Sequence, residues 1–320
     1  MVLPVILPLS EQHLPAAAAL VCAHYAALRR AIPQLPPRYE EPAALLPRLR
    51  DMARRAPGAV AIHHGRLVGF LVAYLLDNFR GHRGVFSPEW ANGIDPSAGG
   101  SIYERLYAHM AHQWAESSYT LHGLSLFANA AAACETWHWL GFGLATVDGV
   151  RALTPLDAPA PGLTVRRAGL ADLRQVAALD DGLHRHLVAA PIFLPLGAPA
   201  GHDELAAELA DPAYAFWTAW AGDEAVAFMK FGPASDNTCA VIYDPGTSSI
   251  TGAFTRPDWR EHGVATVLLA RGLVWARTAG YTRCAVDFEP MNTPAARFWR
   301  SHFQLVCLSQ LRYIDASGVQ

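Results

Sequence analysis

The chain carries one structural plan twice, and this internal repeat limits the fold more than any other feature of the sequence. In each half two strand-like runs meet at a glycine turn, AIHHGRLVGFLVAYLL at 61–76 and FWTAWAGDEAVAFMKF at 216–231. Each half continues with an apolar run closed by Pro, an acid and Trp, then an apolar helix, a strand, and an Asn before an Ala-rich helix. Unrelated domains that mix helices and strands share some of this rhythm, but so many correspondences in one order favour two copies of one α+β domain.

The segment between the copies has the composition of a linker. TPLDAPAPGLT at 154–164 is rich in Pro and Ala and has little helix or strand periodicity. A chain of 320 residues is also long enough for two domains of ordinary size. We therefore predict one domain at 1–157 and a second at 158–320.

Composition and charge argue against several classes of function. A net charge of −3 with scattered Lys and Arg gives no electrostatic reason to expect a nucleic-acid partner. The initial MVLPVILPLSEQ lacks the basic region of a signal peptide, and no uninterrupted apolar run reaches the length of a membrane span, so no membrane association is predicted. Five cysteines without a CxxC pair are typical of reduced thiols in a cytoplasmic protein.

The second copy contains a strand, a loop and a long helix between residues 250 and 281. Residues 250–255 have strand composition, Pro257 ends that strand, and Val264–Thr278 is apolar around most of its girth, with Gly280 following as a helix stop. A helix of this kind is expected to be buried against a sheet.

The loop before this helix has the composition of an anion site. The N–H groups of a first helical turn have no partner within the helix and lie at the positive end of its dipole, where they bind phosphate oxygens. Gly263 allows close approach of the backbone, Ala265 keeps the first turn small, and Arg260 adds a charged donor. Because Arg-x-x-Gly-x-Ala also occurs by chance, an ordinary loop before a helix remains the alternative interpretation of this segment taken alone.

The position of the pattern is more informative than the pattern itself. It follows a strand, begins a buried helix, and precedes a strand that ends in DFEPMN and an Ala-rich helix. In this combination Arg260, Gly263, Ala265, Asn292 and Ala295 match the motif residues of the Gcn5-related N-acetyltransferases, the GNAT superfamily, which the chain resembles. The resemblance implies two tandem GNAT-like domains, each a mixed, mostly antiparallel sheet flanked by helices.

The resemblance covers residues 162–315 and is closest at 250–303, whereas the first domain keeps only the outline. It implies an acetyl-CoA site in the second domain, with pantetheine along the backbone of the fourth strand, pyrophosphate on the amides of the loop and helix start, and Asn292 hydrogen-bonded to the pantetheine arm. The cofactor-binding residues that it implies are Ala253, Phe254, Thr255, Arg260, Glu261, His262, Gly263, Val264, Ala265, Thr266, Asn292 and Trp299.

Two residues depart from the family pattern. Glu261 stands where the family usually has a glycine, so its carboxylate has to point to solvent if phosphates are to bind. Trp299 stands where the family often has a Tyr that serves as general acid for the departing thiol. Since an indole N–H is not acidic at neutral pH, that role is vacant or belongs to another residue. His302 is a candidate, although it is equally a helix residue without such a role.

Two carboxylates on the following strand are candidates for the general base that removes a proton from the acceptor amine. Asp287 and Glu289 share one face of this strand, because side chains alternate with a period of two. Glu289 lies nearer the end at which the acetyl group is expected, and we rank it before Asp287. The alternative is that these carboxylates only attract a cationic substrate. A backbone N–H near Phe254 or Thr255 is the expected oxyanion donor.

The histidines do not predict a metal site. His109 and His112 are three residues apart on an expected helix, but no third ligand stands at a suitable spacing. His184 and His186 fall in the early helical region of the second domain, which lines the acceptor pocket in the family, although an ordinary surface or core role is the alternative for each.

The corresponding loop of the first copy has lost the features of an anion site. ANGIDPSAGGSIYERLY follows FSPEW, lacks the Arg, and places Asp95 where a phosphate would approach. Gly99 and Gly100 still allow a turn, so weak binding stays open. The first domain is therefore predicted to be a degenerate copy.

The sequence thus predicts an acetyl-CoA-dependent N-acetyltransferase that moves an acetyl group to an amine of a small molecule or peptide in a ternary complex. The alternatives are a non-catalytic acyl-CoA sensor or regulatory module and an interaction scaffold without a ligand. A monomer or a homodimer is expected.

Overall fold

The computed structural model describes residues 3–158, 162–199 and 201–315. Its helices are α1 (Leu14–Ala31), α2 (Pro42–Arg55), α3 (Ser101–Glu116), α4 (Ala131–Trp139), α5 (Leu173–Val188), α6 (His202–Ala210), α7 (Val264–Thr278) and α8 (Thr293–His302). Its strands are β1 (Val5–Pro8), β2 (Gly58–His63), β3 (Arg66–Val72), β4 (Tyr74–Phe79), β5 (His82–Ser87), β6 (Asn92–Ile94), β7 (Leu121–Phe127), β8 (Gly143–Ala152), β9 (Thr164–Arg167), β10 (Ala215–Ala221), β11 (Glu224–Pro233), β12 (Thr247–Thr255), β13 (Arg283–Phe288) and β14 (Gln304–Tyr313).

The chain forms two compact units. Unit 1 comprises the chain up to Asp148, the short segment Cys239–Val241 and the chain from Leu305 onwards. Unit 2 comprises Gly149–Thr238 and Ile242–Gln304. Compact units and repeated copies are different divisions of a chain, so the domain boundary at 157/158 stays a prediction. Within the described ranges, no helix has both the length and the apolar composition needed to cross a membrane.

Unit 1 contains two groups of paired strands. Strands β1, β2, β3 and β6 form an antiparallel sheet, and α3 packs on β2 and β3. Strand β5 pairs with β4 antiparallel and with β7 parallel, and β14 pairs antiparallel with β7 from Cys307↔Phe127 to Tyr313↔Leu121. The last strand of the chain therefore belongs to the unit that contains its beginning.

Unit 2 is built on strands in the order β13-β12-β11-β10-β9. All of these neighbours are antiparallel except β12 and β13, which are parallel. Helices α5 and α7 both pack on β11, where Phe228 joins the core under α5 and Phe231 lies against α7. Since residues three apart on a strand face opposite sides, the two helices cover opposite faces of the sheet.

Helix α7 approaches the sheet unusually closely. A Cβ added at Gly272 would lie 2.0 Å from two ring carbons of Phe231, so only glycine allows this contact. Leu268, Leu269 and Leu273 complete the buried side of the helix.

The structure confirms the α+β fold class and the strand, loop and helix of residues 250–281. The expected strand at 250–255 is the second part of β12, and the expected helix has the observed bounds of α7. The repeated hairpins are β2–β3 and β10–β11. Part of the expected linker, residues 159–161, lies outside the described residues.

Candidate functional site

Strands β12 and β13 separate part of the way along the sheet. They pair from Thr247↔Arg283 to Ile250↔Val286, and the pairing ends there although β12 continues to Thr255. Beyond Ile250 strand β12 keeps its pairing with β11 on the other side, up to Thr255↔Ala227. One edge of residues 252–255 is thus available to hydrogen-bond an extended ligand.

A β-bulge marks the beginning of this separation. Lys230 pairs with Gly252 and Phe231 with Ile250, so Thr251 is an extra residue on β12. A bulge bends its strand and increases the local twist. The bulge therefore explains why β12 turns away from β13 at this point. The exposed edge beyond it carries the predicted residues Ala253, Phe254 and Thr255, all half-buried.

The start of α7 presents backbone donors. Gly263, the residue before the helix, has a φ of 75°, and no side chain caps the helix. In the described chain, no backbone or side-chain acceptor is recorded for the N–H groups of residues 261–266. Val264 is buried, so it contributes only its amide. Ala265 and Thr266 are half-buried, and their small side chains leave the first turn accessible.

Arg260 ties this loop to the end of β12. Its Nε donates to the Thr255 carbonyl at 3.1 Å, and its guanidinium lies 5.8 Å from the centre of the Phe254 ring. This anchoring leaves other guanidinium N–H groups to meet an anion. His262 is exposed, and its Nδ1 donates to the Arg260 carbonyl at 2.6 Å.

Glu261 adopts a backbone conformation that favours glycine. Its φ is 66° and its side chain is exposed. The exposed position agrees with the expectation that the carboxylate points to solvent.

Helix α5 connects the edge of β12 with the loop after β13. A Cβ at Gly182 would lie 2.7 Å from the Phe254 ring, so the helix lies directly on this side chain. His186 lies 6.4 Å from the same ring, and its Nε2 donates to Asn292 Oδ1 at 3.3 Å. His186 was predicted from the sequence as a possible substrate contact, and its hydrogen bond to Asn292 was not predicted. His184 instead donates to the Gly197 carbonyl at 2.8 Å.

Asn292 begins α8. Its N–H donates to the Glu289 carbonyl at 3.0 Å, and its carbonyl accepts from Ala296 at 2.8 Å. These bonds fix the backbone of the residue, and His186 orients its amide. The Nδ2 group of that amide is then the part able to donate to a ligand.

Asp287 is the residue of β13 that directly follows the paired segment. It is half-buried, and burial, followed by the negative charge of Glu289, raises the pKa of Asp287 to about 6. A carboxyl group with this pKa is ionised at neutral pH and more basic than an ordinary Asp, as a general base requires. Glu289, ranked first from sequence, is half-buried two residues further along and contributes its charge to this shift.

Trp299 has the character of a core residue. It is 6% exposed, and its ring centre lies 5.6 Å from that of Phe303. His302 is turned towards its own helix, with Nδ1 2.9 Å from the Phe298 carbonyl. The roles predicted for both residues remain untested predictions.

The corresponding region of unit 1 is bridged by side-chain hydrogen bonds. Strands β5 and β7 pair from Gly84↔Leu121 to Ser87↔Leu124, and just beyond this point Asn92 donates to the Ser125 carbonyl at 3.1 Å. Tyr103, in the first turn of α3, donates to Asn92 Oδ1 at 2.9 Å. These contacts link the strands across the place where separated strands would receive a ligand, and a cavity of about 320 Å³ remains beside Asn92 and Tyr103.

The loop before α3 also carries a charge that disfavours an anion. Asp95 accepts from the Ser97 hydroxyl at 2.7 Å and the Ser97 N–H at 2.9 Å. These hydrogen bonds lower the pKa of Asp95, so its carboxylate is charged at neutral pH. Both observations fit the prediction of a degenerate first copy.

Family comparison agrees with the geometry of unit 2. Residues 186–303 match the model described as "Acetyltransferase (GNAT) family". This part of the chain is therefore similar to a GNAT domain. The match contains β12, the loop and start of α7, Asp287 and Asn292, and it supports an acetyltransferase function in general terms. No curated protein sequence matches the chain.

Solved structures extend the likeness to the whole chain at the level of the fold. A GCN5-related N-acetyltransferase from Sphaerobacter thermophilus is 15% identical with a TM-score of 0.57, over 97% of this chain and 95% of that one. A conserved protein from Enterococcus faecalis V583, described as a probable N-acyltransferase, is 12% identical with a TM-score of 0.41, over 98% and 74%. A GCN5-related N-acetyltransferase from Kribbella flavida is 15% identical with a TM-score of 0.39, over 98% and 72%.

Proposed function

We propose that the GNAT domain is an acetyl-CoA-dependent N-acetyltransferase that transfers an acetyl group to an amine of a small molecule or a peptide. The observation that carries the proposal is the separation of β12 and β13 after Ile250↔Val286. On one side of this separation Arg260 ties the start of α7 to β12, and on the other Asp287 follows the last paired residue. A donor site for an anion and a basic carboxylate therefore flank one gap in the sheet.

The chain's own groups suit the parts of acetyl-CoA. The N–H groups of residues 262–266 and the Arg260 guanidinium would hold the pyrophosphate, whose charge favours the positive end of the helix dipole. The edge of residues 253–255 would pair with the amides of pantetheine, and Asn292 Nδ2 would donate to the same arm from the other side. Because these groups are positioned before binding, little ordering entropy is lost.

The reaction we propose is direct attack of a neutral amine on the thioester carbonyl. Asp287 takes the proton that the ammonium form releases, the N–C bond forms, and the C–S bond breaks to release the CoA thiolate. The second proton, which nitrogen loses as the amide forms, passes to the thiolate or to solvent. A backbone N–H at residues 254–255 stabilises the oxyanion. We place Asp287 before Glu289 because it directly follows the last paired residue of β13 and because burial raises its pKa.

Binding and catalysis are tested separately. A ligand that binds only the folded state raises the unfolding midpoint, so we expect both CoA and acetyl-CoA to raise Tm in a titration. Release of free CoA is then measured with a panel of primary amines. A Tm unchanged at millimolar concentrations of both compounds would refute the acetyl-CoA site.

Trp299 favours a second candidate function, an acyl-CoA sensor or regulatory module. A buried indole stands where a proton-donating Tyr is expected, so the group that protonates the leaving thiolate is not identified. A rise in Tm with acetyl-CoA without CoA release from any amine of the panel would favour this candidate. A cytoplasmic location and a monomeric or homodimeric state remain predictions.

A further inference from the structure

Two thiols and one carboxylate meet inside unit 1, remote in sequence from one another. The ligand atoms of Glu89, Cys239 and Cys307 all lie within 4.8 Å of one another. The three residues are 3%, 9% and 0% exposed. They come from the loop after β5, from the short segment 239–241 and from β14.

The backbone holds these three groups together. The Val241 N–H donates to Glu89 Oε1 at 3.0 Å, and the Cys239 N–H donates to Asp148 Oδ1 at 2.8 Å. Cys307 is fixed by its pairing with Phe127 in β14 and β7. These bonds fix the Glu89 carboxylate and the backbone of Cys239 and Cys307.

The separations suit a tetrahedral metal ion. Thiolates bind Zn²⁺ at about 2.3 Å and carboxylate oxygens at about 2.0–2.2 Å, so ligand atoms of one tetrahedron lie about 3.3–3.8 Å apart. A cluster whose atoms all fall within 4.8 Å can close to these distances with small side-chain movements. Two soft sulfur ligands favour Zn²⁺ over Mg²⁺ or Ca²⁺, which prefer oxygen alone.

A buried hydroxyl group lies next to the cluster. Ser125 lies on β7 two residues before Phe127, the partner of Cys307, so it is on the same face and diagonal to this cysteine. The Ser125 hydroxyl forms a side-chain hydrogen bond with the Cys307 thiol. It would donate a stronger hydrogen bond to Cys307 in the thiolate form that binds a metal.

We propose that Glu89, Cys239 and Cys307 bind one Zn²⁺ ion in unit 1, with water as the fourth ligand. Binding replaces the two thiol protons with the metal. Because its ligands are so distant in sequence, the ion would link three separate segments and stabilise the fold of unit 1. The site is distinct from the acyltransferase site of unit 2, and the histidine spacings that the sequence offered do not contribute to it.

The test begins with the metal content of the full chain, expressed in zinc-supplemented medium and purified without chelator. We expect about one zinc ion per chain by inductively coupled plasma mass spectrometry. Cys239→Ala and Cys307→Ala should each lose the metal. The matched control is Cys284→Ala, which removes an equally buried thiol from β13 in unit 2 and should keep the metal. Circular dichroism establishes that each variant is folded.

If the cysteine variants do not fold, Glu89→Gln provides a second test. Gln keeps the shape of the side chain and an oxygen that can accept the hydrogen bond from the Val241 N–H. We expect it to lower zinc affinity at least about tenfold in competition with a chromophoric chelator. Protein produced with Co²⁺ should show the intense near-ultraviolet band of cobalt–thiolate bonds, absent from the cysteine variants. A folded wild-type chain without stoichiometric zinc, a folded Cys239→Ala variant that keeps it, or a Cys239–Cys307 disulfide in its place would overturn the proposal.

Discussion

At the scale of single residues, Glu261 has a backbone conformation that is unfavourable for a residue with a side chain. A φ of 66° places it in the left-handed region, which costs a non-glycine residue about 1–2 kcal/mol. Glu261 also precedes residues 262–266, whose N–H groups we assign to the pyrophosphate, so its negative charge lies close to the phosphates. Both effects would be removed by the glycine that the family usually has at this position.

We predict that Glu261→Gly raises both stability and affinity for acetyl-CoA. Glycine relieves the backbone strain, but it also increases the conformational entropy of the unfolded chain. The net gain in the free energy of unfolding should be about 0.5–1 kcal/mol. Loss of the negative charge should lower the Kd for acetyl-CoA about three- to tenfold. Glu261→Gln is the control, because it removes the charge and keeps the strain, so it should improve affinity without raising Tm. A weaker Kd for both variants would show that Glu261 assists binding.

Asp287 is expected to limit activity at low pH. Its pKa of about 6 means that the proton-accepting form is lost below this pH. We predict that kcat/KM rises about tenfold per pH unit up to pH 6 and then levels, and that Asp287→Asn lowers kcat about 10²–10⁴-fold and removes this limb. Asp223→Asn, at an exposed turn, should leave the profile unchanged. A full ascending limb in Asp287→Asn would assign the base to another group.

The same shift predicts a gain in stability from the substitution that removes activity. The pKa of Asp287 is raised from 3.8 to about 6, so the folded chain binds its proton more tightly than the unfolded chain does. The contribution of Asp287 to the free energy of unfolding is fully present below pH 3.8 and is lost as the pH rises through 6. Asp287→Asn should therefore raise the free energy of unfolding at pH 8 by about 2 kcal/mol, with no gain below pH 4. An equal gain at both pH values in urea titrations would contradict this cause.

The residues of the site were partly accessible from sequence. Arg260 and Gly263 lie in a local motif, and the structure ties Arg260 to Thr255 at the end of β12. The raised pKa of Asp287 could not be predicted, because it depends on burial and on the charge of Glu289. The bond from His186 to Asn292 joins residues 106 apart and has no local signal.

At the scale of secondary-structure elements, periodicity located β12 and α7 but not the separation of β12 from β13. Apolar alternation indicates a strand, whereas pairing depends on register and on the bulge at Thr251, which no turn residue announces. The hydrogen bonds of Asn92 in the corresponding region of unit 1 were likewise not predictable, because its contacts with Tyr103 and Ser125 are tertiary.

The contact between α7 and β11 yields a prediction for Gly272. A methyl group there would lie 2.0 Å from the Phe231 ring, and we expect Gly272→Ala to lower the free energy of unfolding by about 1–3 kcal/mol despite the better helix propensity of Ala. Val274→Ala, on the exposed side of the same helix, should change stability by less than about 0.5 kcal/mol. Stabilisation by Gly272→Ala in denaturant unfolding would show that the helix does not pack this closely.

At the scale of the whole molecule, the assignment of β14 to unit 1 has a measurable consequence. Val306 is fully buried, and β14 provides an antiparallel partner for β7. We predict that Val306→Asp, which buries a charge, increases hydrogen exchange in β7, whereas Tyr313→Asp at the exposed end of β14 has little effect. Increased exchange confined to unit 2 would refute this assignment.

The central claim is that one acetyl-CoA binds at the start of α7 in unit 2 and that unit 1 binds none. Isothermal titration of the wild-type chain, Gly263→Asn and Gly263→Asp tests it directly, because Asn and Asp both tolerate a positive φ and differ here in charge. We predict one acetyl-CoA per wild-type chain, binding by Gly263→Asn within about tenfold of wild type, and a loss of at least about a hundredfold in Gly263→Asp. Equal affinity of the Asp and Asn variants, or a stoichiometry of two, would contradict the account.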